Sequence, residues 1–183
     1  MSRIPAHSID SAPEGTRKTL ERLSRRSGKL LNIHAEMAHA PVVLAAYTGL
    51  NEAIAAQGTF TPAVKEAIAL AVGQVNGCQY CQAAHTQGAL KVGFTQEQTL
   101  QIRSGNITFD DHLAVLIAVA REAAGQAGNV SDQTWNAALQ AGWSELELAE
   151  LFAHLSVNLF TNFFNHYART DLDVPAAAPL PGR

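Results

Sequence analysis

Glu66, Cys78, Cys81 and His85 are the residues of this 183-residue chain whose types and spacing could do chemistry. Cys78 and Cys81 are its two cysteines. They stand three apart, and His85 follows Cys81 by four, so on a helix all three share one face. A thiolate, not a thiol, attacks peroxides and disulfides. A free cysteine titrates near ~8.5, and a helix N-terminus, a nearby imidazolium or a Cys-x-x-Cys partner lowers that value. The stretch from Glu66 to His85 could offer all three. A peroxide oxygen would turn the attacking sulfur into a sulfenic acid, which the other sulfur would convert to a disulfide. Position at the helix start favours Cys78 as the thiolate, whereas Cys81 lies within a turn of His85, so spacing leaves attacker and resolver open. Glu66 could orient His85 or relay a proton through water.

These residues need a helical hairpin to meet. Thr61 and Pro62 read as N-cap and first residue of a helix that carries apolar residues from Ala63 to Val75. Asn76 and Gly77 stop it. If Cys78 then opens an antiparallel helix, Glu66 and His85 lie roughly 13 and 11 Å from the turn, at nearly the same height.

The remaining chain reads as helices throughout. Glu14 to about Leu31 is amphipathic, with a basic outer face that reads as solvated. Asn32 to Ala40 reads as a connection, and Pro41 opens a helix ending at Gly58. The cysteine helix continues to Gly93. Thr95 with Gln98 forms a capping box for a short helix stopping near Gly105, and Thr108 with Asp111 is expected to cap the next. Ser131 starts a helix ending at Gly142. Ser144 with Glu147 opens the longest one, and beyond Asp173 the Pro-rich tail has too little bulk to pack by itself. No alternating strand pattern is evident, so the fold class is all-α, with extended or disordered tails at about 1–13 and 174–183 of a single domain.

Composition narrows the function. The apolar fraction is 47% and the net charge −3, with a pI near 6.1, so no basic surface advertises nucleic acid. The longest apolar runs fall short of the ~20 residues a bilayer requires. The opening residues carry no charged segment followed by an apolar run. We expect a soluble, cytoplasmic protein, where a Cys-x-x-Cys pair points to catalysis or metal binding before a structural disulfide.

Laying the longest helix on the central stretch aligns Glu147 with Glu66 and His166 with His85, while Leu159 and Asn162 fall on the cysteines. This reads either as an internal duplication that lost its sulfurs or as chance. His34, His39, His112 and His154 have no companions at ligand spacing and read mostly as surface or satisfied core residues. Tyr80 reads as a relay phenol or as an aromatic filling the pocket. Trp135, Trp143 and the cluster of Phe160, Phe163 and Phe164 read as core or interface.

The pattern Glu-x11-Cys-x2-Cys-x3-His resembles the core motif of the alkylhydroperoxidase D and carboxymuconolactone decarboxylase superfamily. Agreement extends over Phe60 to Gly93, and the ending NFFNHYARTDLDVP looks like that of many peroxidase-related members. The resemblance implies a helical homo-oligomer in which Cys81 attacks the peroxide, Cys78 resolves, and His85 with Glu66 relays the proton. The best-known peroxidase members have a histidine directly before the second cysteine, where this chain has Tyr80. They also carry the motif in the second half of the chain, whereas here it lies in the first. The decarboxylase branch typically lacks the cysteine pair.

The leading expectation is a cofactor-free peroxidase that reduces hydroperoxides through a Cys78–Cys81 disulfide cycle reset by a thiol or lipoyl reductant. Cys78, Cys81, His85 and Glu66 would also be legal zinc ligands, although structural zinc usually draws its ligands from loops and knuckles. General thiol–disulfide exchange is the third reading.

Overall fold

The computed structural model describes residues 2–180, and among these the chain forms nine helices and no strand. They are α1 (Glu14–Ser27), α2 (Asn32–Met37), α3 (Pro41–Gln57), α4 (Pro62–Val75), α5 (Gln79–Lys91), α6 (Gln96–Ser104), α7 (Asp111–Gly125), α8 (Asp132–Gln140) and α9 (Glu145–Ala168).

Helix α4 is the centre. Its residues Ala67 to Gly73 are buried on every side, the signature of a helix that presents no face to water. It packs against α5, α6, α7 and α9. Ile68, Leu70 and Val72 join Leu116 and Ile117 of α7 and Leu151 of α9 in one core, each contributing ~1.5–3 kcal/mol of burial. A second core lies on the other side of α5, where Leu20, Leu23, Ile33, Met37 and Leu44 close over Cys78, Tyr80 and Cys81. The cysteines therefore sit beneath α1, α2 and α3.

Most helix starts follow the capping residues in the sequence. Thr61, Thr95, Ser131 and Ser144 each accept a backbone N–H, and the two capping boxes form. Helix α7 differs, because Asp110 rather than Thr108 is its N-cap. Thr108 instead donates its N–H to Gln101 Oε1 at 2.9 Å. Helix α1 ends at Ser27 because Gly28 adopts φ 80°.

Residues 32–37, expected as part of a connection, form α2. No side chain caps this six-residue helix, and its support comes from far along the chain. Asp173 accepts the Asn32 N–H at 3.2 Å, and Thr170 donates to the buried Glu36 at 2.5 Å. The segment after α9 contributes bonds instead of bulk. Arg103 is buried, donates to Ala178 O at 2.6 Å, and also holds Gln74 and Gln82.

Candidate active site

The turn between α4 and α5 sets the geometry. Gly77 lies at φ 65°; its N–H reaches Gln74 O at 3.1 Å, and the Cys78 N–H reaches Gly73 O at 2.9 Å. This pair of bonds is a Schellman motif, which glycine closes without Cβ strain. It delivers Cys78 straight to the N-cap of α5, where its sulfur accepts the Cys81 N–H at 3.2 Å. A sulfur in that position faces the positive end of the helix dipole.

Both thiols are free and buried. Asn165 of α9 donates Nδ2 to Cys81 Sγ at 3.3 Å and to Cys78 Sγ at 3.7 Å. The Cys81 thiol donates to the Cys78 sulfur. That bond outweighs the opposing effect of burial and, with the Cys81 N–H and Asn165, pulls Cys78 down to about 7. Cys81 is pushed up, since it supplies the shared proton and is itself buried. The pair thus holds one easily lost proton.

Glu66 and His85 meet as the hairpin arithmetic required, with Nδ1 and Oε2 2.8 Å apart. Burial opposes the imidazolium, but the Glu66 charge and hydrogen bond overcome it, and the His85 pKa is raised. The pair is not sealed, since His85 is 32% and Glu66 26% exposed. Gly88 makes the contact possible: a β-carbon there would lie 2.5 Å from Glu66 Oε2. A glycine inside a helix costs about 1 kcal/mol relative to alanine and is kept where something must approach closely. Here that something is a carboxylate.

Cys81, His85, Tyr80 and Asn165 line a cavity of about 220 Å³ roofed by α1, α2 and α3. His34 and Tyr47 belong to its wall. His34 is 5% exposed; burial, and then the Arg26 charge, lower its pKa to about 4, against a smaller opposing effect of Asp173. Two adjoining cavities, of about 300 and 170 Å³, share Arg26, Tyr47 and Asn51 with the first. Cys78 borders a separate opening of about 300 Å³ beside Gln79, His166 and Thr170.

Tyr80 is close by, but its hydroxyl donates to Asp173 at 2.6 Å. Burial, and then this carboxylate, raise its pKa. Asp173 also accepts from Lys29 at 3.2 Å, so Tyr80 joins α5 to the segment after α9 and, through it, to the α1–α2 turn. Glu147 and His166 form no second hairpin. They lie on one continuous 24-residue helix, about 28 Å apart along its axis. Glu147 caps that helix, and His166 bonds to Asn76 O at 3.0 Å. Among the described residues, no three side chains of His, Cys, Asp or Glu converge as a metal site would need.

Four residues of this site carried no assigned role in the sequence. His34 and Tyr47 come from helices before the motif, Gly88 lies just beyond it, and Asn165 is 84 residues past Cys81. A signal existed for Asn165: Asn158, Asn162 and Asn165 are all buried, at i, i+4 and i+7 on one face of a largely apolar helix. Polar residues so placed call for partners inside the protein.

An all-α bundle whose central hairpin holds a cysteine pair beside a glutamate–histidine pair defines the class. The sequence model of the carboxymuconolactone decarboxylase family matches residues 41–122, and the all-helical fold is similar to that of an alkylhydroperoxidase D core. An uncharacterised protein of Cupriavidus necator is 36% identical over 67 residues, which are 37% of this chain and 59% of that protein. The core of an uncharacterised peroxidase-related protein from Ralstonia eutropha superposes with a TM-score of 0.84 at 17% identity, covering 94% of this chain and 92% of that one. A Cys-to-Ala variant of the debrominase Bmp8, solved with 2,3,4-tribromopyrrole, superposes with a TM-score of 0.81 at 16% identity, covering 94% and 92%. At such identities the likeness is one of fold.

Proposed function

We propose that this protein is a thiol peroxidase that reduces organic hydroperoxides through a Cys78–Cys81 disulfide. The observation that carries this reading is the cavity shared by Cys81 and a Glu66-paired His85, with the sulfurs hydrogen-bonded to each other and to Asn165.

In the resting pair Cys78 is the thiolate and Cys81 the thiol. Passing the shared proton to Cys78 makes Cys81 the thiolate beside the cavity. Its sulfur attacks the terminal oxygen of the hydroperoxide: an S–O bond forms, the O–O bond breaks, and the alkoxide takes a proton from the His85 imidazolium. Glu66 favours that imidazolium. The Cys78 thiol then condenses with the sulfenic acid, releasing water and forming the disulfide. Two electrons from a thiol or lipoyl reductant reopen it, and the opening at Cys78 gives that reductant a way in. Such a cycle suits a reducing compartment such as the cytoplasm. The exposed Phe152, Phe163 and Tyr167 of α9 offer an apolar face for a homo-oligomer.

The test is loss of free thiol on adding cumene hydroperoxide. Cys81→Ser should abolish oxidation of the remaining thiol, and Cys78→Ser should stop at a sulfenic acid trapped by dimedone. Full turnover in both variants would sink the mechanism. The debrominase neighbour makes 2,3,4-tribromopyrrole the second probe to run in the same assay.

A further inference from the structure

We propose that Tyr47, oriented by His34 behind it, is a further catalytic residue that donates a hydrogen bond to the leaving oxygen of the hydroperoxide in the Cys81 cavity. This rests on the peroxidase reading and supplies the donor that Tyr80, committed to Asp173, does not.

His34 Nε2 lies 3.4 Å from the Tyr47 hydroxyl, and their rings tilt together at 5.4 Å. His34 Nδ1 is buried and has no partner. A proton on Nδ1 would leave an orphaned N–H, the rarer and costlier kind of buried polar group. The tautomer with the proton on Nε2 avoids this and makes His34 a donor to the phenol oxygen. Asn51 Nδ2 donates to the Tyr47 carbonyl oxygen at 2.9 Å, which fixes this turn of α3. With His34 donating to its oxygen, the Tyr47 O–H is left to point elsewhere, and the surface it borders is the cavity. Tyr47 packs against the cluster that holds Cys81 and lines all three adjoining cavities. Burial raises the Tyr47 pKa, so the phenol keeps its proton.

When the Cys81 thiolate forms the S–O bond and the O–O bond breaks, negative charge develops on the alkoxide oxygen. The Tyr47 O–H donates to that oxygen without giving up its proton, and His85 completes the alcohol. A donor fixed before the reaction lowers the barrier because nothing must reorganise as the charge appears. His34 does not touch substrate; it is a positioning residue.

The test compares two rates on the full chain: thiol loss with cumene hydroperoxide, and dithiothreitol reduction of the diamide-formed disulfide, which involves no peroxide oxygen. Tyr47→Phe should slow the first by about a hundredfold and leave the second unchanged. His34→Leu should slow the first by less, and the double variant should be no slower than Tyr47→Phe, because the two act as a unit. Equal peroxide rates in wild type and Tyr47→Phe, or a parallel loss of both rates, would overturn the assignment of Tyr47. A wild type whose thiols ignore the hydroperoxide would overturn the peroxidase reading, and this proposal with it.

Discussion

Gly88 and Glu66 face each other across the α4–α5 hairpin so closely that the carboxylate occupies the place of the missing side chain; a β-carbon there would meet Glu66 Oε1 at 2.7 Å and Oε2 at 2.5 Å. Gly88→Ala should therefore displace Glu66 and lower the His85 pKa. Two effects on stability compete: the gain in helix propensity is about 1 kcal/mol and the overpacking cost typically ~1–3 kcal/mol. We expect a small net destabilisation, with a clear drop in the His85 pKa by NMR titration. An unmoved His85 would show that Glu66 can swing aside without losing its partner.

Glu66→Gln isolates the charge. Glu66 raises the His85 pKa in the fold above its ordinary 6.5. A raised folded pKa contributes stability that is fully present below the unfolded value and lost as pH rises through the folded one. The thermal midpoints of wild type and variant should thus differ most on the acid side of pH 6.5 and converge at high pH. The fall in peroxide reactivity as imidazolium is lost should shift to lower pH in the variant.

His34 behaves in the opposite sense. Its folded pKa of about 4 lies below its ordinary 6.5, so as pH falls the unfolded chain binds that proton first, and stability is lost between these values, by up to ~3 kcal/mol. Urea unfolding between pH 7 and 4.5 should show a shallower acid loss for His34→Leu than for wild type. Parallel curves would mean that His34 is not the buried neutral base.

For Tyr80, anchor and relay roles predict different outcomes. Tyr80→Phe removes the bond to Asp173 and should cost roughly 1.5–3 kcal/mol, the worth of a hydrogen bond to a charged group. Peroxide reactivity should stay within a few-fold of wild type. A collapse of reactivity with unchanged stability would make Tyr80 a relay phenol.

Asn165 is one of the donors that hold Cys78 near 7. Asn165→Leu should move the ultraviolet thiolate titration upward and slow peroxide oxidation at neutral pH. If the titration does not move, the Cys81 contacts alone set the thiolate.

Local chemistry carried much of this protein in its sequence. Caps at Thr61, Thr95, Ser131 and Ser144, the Asn76–Gly77 stop and the Cys78 start are interactions within a few residues, so their side chains announce them directly. The pairing of Glu66 with His85 was legible for the same reason: a tight hairpin turns a gap of nineteen residues into a simple matter of rise per residue. Tertiary structure decided the rest. Helix α2 forms because Asp173 and Thr170 reach it, Tyr80 is tied by the same Asp173, and Asn165 joins the sulfurs from another helix. Glu147 and His166 kept the spacing of the central pair, but with no turn between them they could not meet. Contacts that span a hundred residues depend on which helices pack together, and no short stretch of sequence records that. The sulfurs were visible from the start; the walls around them exist only once α1, α2, α3 and α9 have closed over α5.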